Sequence, residues 1–144
     1  WSVTGVQTCA LPICSLVAQC GGAGNLAAFL RRAARVVEAP RYAPYFEGWR
    51  DAWYFAEADV TRARLERAGF EAIDTNLQPA PTPFPDAPSF RRFIENVVLR
   101  HHVERLPERE IVDAFLDDVV ASGPAELDYV RLNVRATRPE ARSL

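Results

Sequence analysis

The chain has 144 residues, of which 49% are hydrophobic and 25% charged, the proportions of a folded domain rather than of a disordered segment. Its formal net charge of -2 argues against a broad nucleic-acid surface, because phosphate binding rests mostly on neutralisation by Lys and Arg. No stretch approaches the roughly 18 consecutive apolar residues of a membrane-spanning helix, so neither nucleic acid nor membrane is an expected partner.

Residues 3–13, VTGVQTCALPI, lack the basic start and unbroken apolar run of a secretory leader. Back-translated, they resemble one frame of a common sequencing adapter that ends within the codon of Cys14, and the chain contains no Met. Residues 1–14 are therefore expected to be an unstructured artefact, followed by a body over 15–139 and a tail over 140–144. Of the three cysteines, Cys9 and Cys14 fall in that head. Cys20 alone cannot close an internal disulfide, which points to a reducing, cytoplasmic setting.

The apolar run at 16–18 breaks into glycines and predicts a buried strand followed by a loop. Leu26, Phe29, Leu30, Ala33, Ala34 and Val37 then recur at helical spacing, with Asn25 as the expected N-cap. Residues 39–59 are rich in aromatics and without period, suited either to plug a core or to line a pocket. A second helix is expected over 58–68, stopped by Gly69. Alternation through Ile73, Thr75 and Leu77 predicts a strand over 70–78, ended by closely spaced prolines. Two helices follow. Asp86 caps one with a stripe of Phe90, Phe93, Ile94, Val97 and Val98; Pro107 starts the other, carrying Ile111, Val112, Phe115, Leu116, Val119 and Val120. Finally, residues 126–139 alternate strictly, with Val130, Leu132, Val134 and Ala136 on one face and Tyr129, Arg131, Asn133 and Arg135 on the other, which predicts one long strand.

The segment GAGNLA at 22–27 satisfies G-x-G-x-x-A between a strand and a helix, the layout of a dinucleotide-binding turn. That fingerprint also needs a second strand ending in an acidic residue about 20 positions on. The aromatic segment stands there instead, so a plain strand-to-helix turn is the better account, with a nucleotide-binding oxidoreductase as the alternative.

Four stretches taken together, LVAQCGGAGNLA, PYFEGWRDAWYFA, RLERAGFEAIDTNL and LDYVRLNVRATRP, resemble the C-terminal half of a class I S-adenosylmethionine-dependent methyltransferase. They are similar in character to the trans-aconitate 2-methyltransferase type and to the malonyl carrier-protein methyltransferases. The resemblance implies an α/β fold, the C-terminal part of a Rossmann-like sheet. Residues 16–20, 70–78 and 126–137 would be its fifth, sixth and seventh strands, the last antiparallel, with a helical insertion before it. It also implies methyl transfer to a small, carboxylate-bearing acceptor, chemistry that asks the protein mainly for alignment and exclusion of water. The family's glycine-rich cofactor loop and its ribose-holding acidic residue lie upstream of the fifth strand and have no counterpart here. The expectation is thus a fragment whose parent uses S-adenosylmethionine, which itself binds none and is inactive alone. A non-catalytic interaction module is the rival reading, and an exposed half-sheet would favour self-association.

Candidate acceptor-binding residues follow, none of them a catalytic base. Gln19 and Asn25 flank the end of the expected fifth strand, where ligands of open α/β sheets lie; a loop hydrogen bond and a helix cap are their plainer roles. Trp53 and Tyr54, with Trp49 and Phe55, could wall a pocket or pack over a sheet edge. Arg100 and His101, beside His102, could pair with a carboxylate or balance a helix dipole. Arg131 lies on the polar face of the last strand. Adjacent histidines do not share a helical face, so no metal site is expected.

Overall fold

The computed structural model describes residues 14–139; residues 1–13 of the expected 1–14 artefact and the tail at 140–144 lie outside them, whereas Cys14, expected to be unstructured, opens a strand. The chain is mixed α/β and divides into two units, built from interleaved stretches of sequence.

The first unit holds β1 (Cys14–Gly21), α2 (Ala58–Arg67), β2 (Glu71–Pro79) and β5 (Val130–Arg138). The strands form one sheet in the order β1-β5-β2, with β5 antiparallel to both neighbours, so β1 and β2 run the same way. The period-2 pattern decides the faces. Leu132, Val134 and Ala136 of the central strand are buried, opposite Cys20, Ala18 and Leu16 of β1. Thr75, facing the same side, donates to the Ala58 carbonyl (3.1 Å), and Arg62 Nη1 donates to Ile73 O (2.6 Å), which ties α2 to β2. Gly69 follows that helix with φ of 81°, the left-handed C′ position that glycine occupies without a Cβ clash. Gly22 is glycine for a different reason: a Cβ there would run into the Leu77 side chain and stand 2.8 Å from Leu132 Cβ.

The second unit holds α1 (Ala27–Val37), a 3₁₀ turn (Ala43–Phe46), β3 (Thr82–Pro83), α3 (Ala87–Phe93), a π-helical turn (Ile94–Val98), α4 (Arg100–Val103), α5 (Arg109–Ala121) and β4 (Glu126–Leu127). Its core is aromatic. Phe29 meets Phe90 edge-on at 5.9 Å, Tyr42 meets Phe115 at 5.4 Å, and Ile94, Leu99, Leu116 and Val119 fill the space between the helices. Buried Tyr42 donates its hydroxyl to Asp118 (2.6 Å), and burial together with that bond pushes its pKa up to about 12. Arg91 and Arg109 cross-link α3, the π turn and α5 through Glu95, Asp113 and Asp117.

Several expectations need correction. Asn25 is not the cap of α1: Leu26 holds that position with φ of 59°, and the Asn25 side chain is spent elsewhere. Asp86 does cap α3, accepting from Ser89 N (2.7 Å). The following helix is not regular, because the π turn inserts extra winding that rotates Val97 outward to 46% exposure while Val98 and Leu99 turn in. Pro107 precedes α5 rather than starting it, since the N-cap is Glu108. The expected strand over 126–139 is two, interrupted at Asp128 and Tyr129, so Tyr129 lies outside β5; β4 pairs with β3 in a separate ladder. The Pro-rich stretch hides β3, where Pro83 gives no amide to its short ladder.

Candidate functional site

The polar face of the three-stranded sheet gathers residues far apart in sequence. Alternation along β5 sends Arg131, Asn133 and Arg135 to the side opposite its buried leucine, valine and alanine, and the register sets Gln19 and Asn76 on either side of Asn133. Arg131 Nη1 donates to Gln19 Oε1 (2.5 Å), Gln19 Nε2 to Asn133 Oδ1 (2.7 Å), and Asn133 Nδ2 to Asn76 Oδ1 (3.1 Å) and Gln78 Oε1 (3.2 Å). The bonds run in one direction, from a guanidinium through amide oxygens. The amide nitrogens of Asn76 and Gln78 therefore remain as donors at the far end. The amides of Gln19, Asn133, Asn76 and Gln78 floor an open trough of about 690 Å³, which Asp74, Arg135 and the 55% exposed Val17 also line.

Such a surface can hold a planar polar group by neutral amide donors, with Arg135 and Asp74 at its margin. It is not arranged for proton transfer, because the row is made of amides. Gln19 stands two residues before the end of β1, so the strand's C-terminal end carries the Gln19–Arg131 pair. Asn25, buried just beyond, accepts the Val130 amide proton through Oδ1 (2.8 Å) and so fixes the entry of β5. Tyr54 is 67% exposed and pairs with Arg64, whose Nη2 donates to its hydroxyl (3.3 Å).

In the second unit the remaining candidates form a different cluster. Trp53 Nε1 donates to Val98 O (3.1 Å), and its ring meets His101 edge-on at 6.4 Å. Arg100 Nε and His101 Nδ1 both approach Glu104, at 2.9 and 3.5 Å, and the Arg100 hydrogen bond first, then that of His101, hold the Glu104 carboxyl below its ordinary pKa. The Arg100 guanidinium at this helix end is thus already matched by an acid. His102, one residue after His101, faces inward. It packs edge-on to Trp49 at 4.5 Å and stacks on Phe115 at 6.1 Å, and its Nδ1 is buried with no partner among the described residues. Burial draws its pKa down to about 4, against a smaller upward pull from Asp51.

Sequence reasoning thus reached Gln19 and Arg131, which the structure joins, and Trp53 and His101, which it sets in contact. It missed Asn133, Asn76 and Gln78 as members of the row. The alternation of β5 and β2 carries the signal for their shared face, but the register that aligns them is visible only once the strands pair. Among the described residues no group of His, Cys, Asp and Glu could hold a metal ion, and no helix is long and apolar enough to cross a membrane. No family model matches the chain, and no curated protein matches it.

Proposed function

We propose that the chain carries the fifth, sixth and seventh strands of a class I S-adenosylmethionine-dependent methyltransferase, a cytoplasmic parent that methylates a small, carboxylate-bearing acceptor. The observation that supports this is the order β1-β5-β2, in which the last strand runs antiparallel between two strands of common direction. The helices over 87–121, ahead of that strand in the chain, agree with the expected insertion. In this reading the amide row beside Arg131 orients the acceptor, and the chain contributes position rather than a proton-transfer group.

The start of α1 supports the expectation that the cofactor's cradle lies elsewhere in the parent. The amides of Ala28 and Phe29 at the start of α1, the natural place for a phosphate or carboxylate, already donate to Asp128 (2.7 and 3.0 Å). Asn25 is committed to Val130. The same observation weighs against the dinucleotide alternative. A free-standing interaction module is less well supported, because Tyr42 and Phe46 of the aromatic segment are core residues.

The test is the genomic DNA upstream of the Ser15 codon. The reading requires an open frame that encodes a strand, a glycine-rich loop and a second strand ending in an acid; a start codon at that point sinks it. Calorimetric titration of the chain with S-adenosylhomocysteine is expected to give no heat of binding, and a micromolar dissociation constant contradicts the proposal.

A further inference from the structure

Where arginines of the second unit meet free carboxylates, they pair, as Arg91, Arg100 and Arg109 do. Arg31, Arg32 and Arg35 of α1 form no ion pair among the described residues, although all three wall a hollow of about 310 Å³ that Glu126 and Asp128 share. Arg32 is the informative one. Its Nη1 donates to Pro124 O (2.9 Å), while its Nε and Nη2 are buried without a partner among the described residues. Those two N–H groups lie on one edge of the guanidinium, the edge that meets both oxygens of a carboxylate side by side.

The surroundings pack against the cation without satisfying that edge. The rings of Phe29 and Phe90 lie 5.1 and 5.7 Å from the guanidinium carbon, and ring faces do not accept in-plane hydrogen bonds. Asp128 lends its charge, but its oxygens accept from the Ala28 and Phe29 amides and make no hydrogen bond to that edge. The chain also makes room here: a Cβ on Gly123 would stand 2.5 Å from Arg32 Nη1 and 3.1 Å from its Cδ. Buried donors left orphaned are few in folded proteins, and each calls for a reason.

We infer that this hollow is a binding site for a small monocarboxylate, held on the Nε/Nη2 edge of Arg32 and flanked by Arg31 and Arg35. Rotation about the last side-chain bonds of Arg32 turns that edge into the hollow and exchanges the Pro124 bond for two to the ligand. A carboxylate suits the lining better than a phosphate dianion, because Glu126 and Asp128 repel the second charge. The inference stands on the second unit alone and does not rest on the methyl-transfer reading.

The experiment is a titration of the full chain with propanoate and, separately, with inorganic phosphate, followed in proton–nitrogen spectra of the arginine Nε–H groups. Propanoate is expected to bind saturably and to move the Arg32 Nε–H signal. Arg32→Lys keeps the charge and loses the fork, so it is expected to weaken binding by roughly tenfold or more. Arg35→Gln, at an exposed position, is expected to weaken it severalfold without disturbing the fold. If Arg32→Lys does not fold, the wild-type Nε–H shift and the Arg35→Gln affinity decide. The inference is overturned by the absence of saturable propanoate binding, by an Arg32 signal that does not move, by affinity indifferent to the variants, or by phosphate binding the more tightly.

Discussion

At the scale of single residues, His102 is the most consequential side chain, because it is 4% exposed, enclosed by Phe46, Trp49 and Phe115, and not hydrogen-bonded at Nδ1 among the described residues. Charging it inside that cage is costly, and its pKa of about 4 lies well below the ordinary 6.5. Between those values the unfolded chain binds a proton that the folded one refuses. The stabilisation is therefore complete above pH 6.5 and is lost as the pH falls toward 4. Linkage gives a loss of about 2 kcal/mol between pH 7.5 and pH 5. Urea unfolding followed by tryptophan fluorescence measures it, since Trp49 lies against the ring. His102→Phe is expected to flatten this pH dependence. A variant that loses stability as steeply as the wild type places the effect on other groups.

At the scale of elements, α1 shows how a helix can be started from a distance. Its N-cap, Leu26, offers no side-chain acceptor, and Asp128, about a hundred residues on, takes the Ala28 and Phe29 amides instead. Asp128→Ala is expected to cost about 1–2 kcal/mol, the usual worth of a cap, and Asp128→Asn less, because one acceptor survives. Thermal denaturation distinguishes the pair, and equal midpoints for both variants and the wild type refute the assignment. The same example marks the boundary of what sequence makes legible. Local rules found the Asp86 cap and the Gly69 stop, because both act within one turn of chain. They failed at Asn25, a good cap by composition, because a tertiary partner, the Val130 amide, claimed its oxygen. Periodicity located α1, β2, α5 and β5, yet it could not see the break at Asp128 and Tyr129 that separates β4 from β5, nor the π turn that expelled Val97. Of the polar row, Gln19 and Arg131 were visible as candidates, whereas Asn133, Asn76 and Gln78 join through pairing alone.

At the scale of the whole molecule, the two edges of the described sheet differ: β2 carries Glu71, Asp74, Pro79 and a register shift, whereas β1 has few means of guarding itself. Among the described strands β1 pairs with β5 and with no other, so one side of its eight residues offers backbone donors and acceptors outward. Its sequence at 14–21, CSLVAQCG, contains no charge and no proline, the two devices by which exposed edges avoid recruiting another strand. Val17, 55% exposed in the middle of β1, adds apolar surface next to that edge. Concentration-dependent self-association through β1 is therefore expected. Val17→Lys places a charge at the centre of the edge and is expected to weaken association without unfolding the chain, because the position is solvated in the monomer. Sedimentation velocity over a range of concentrations provides the measurement. A monomer at every concentration contradicts the expectation, and association unchanged by the lysine moves it away from β1 to another surface.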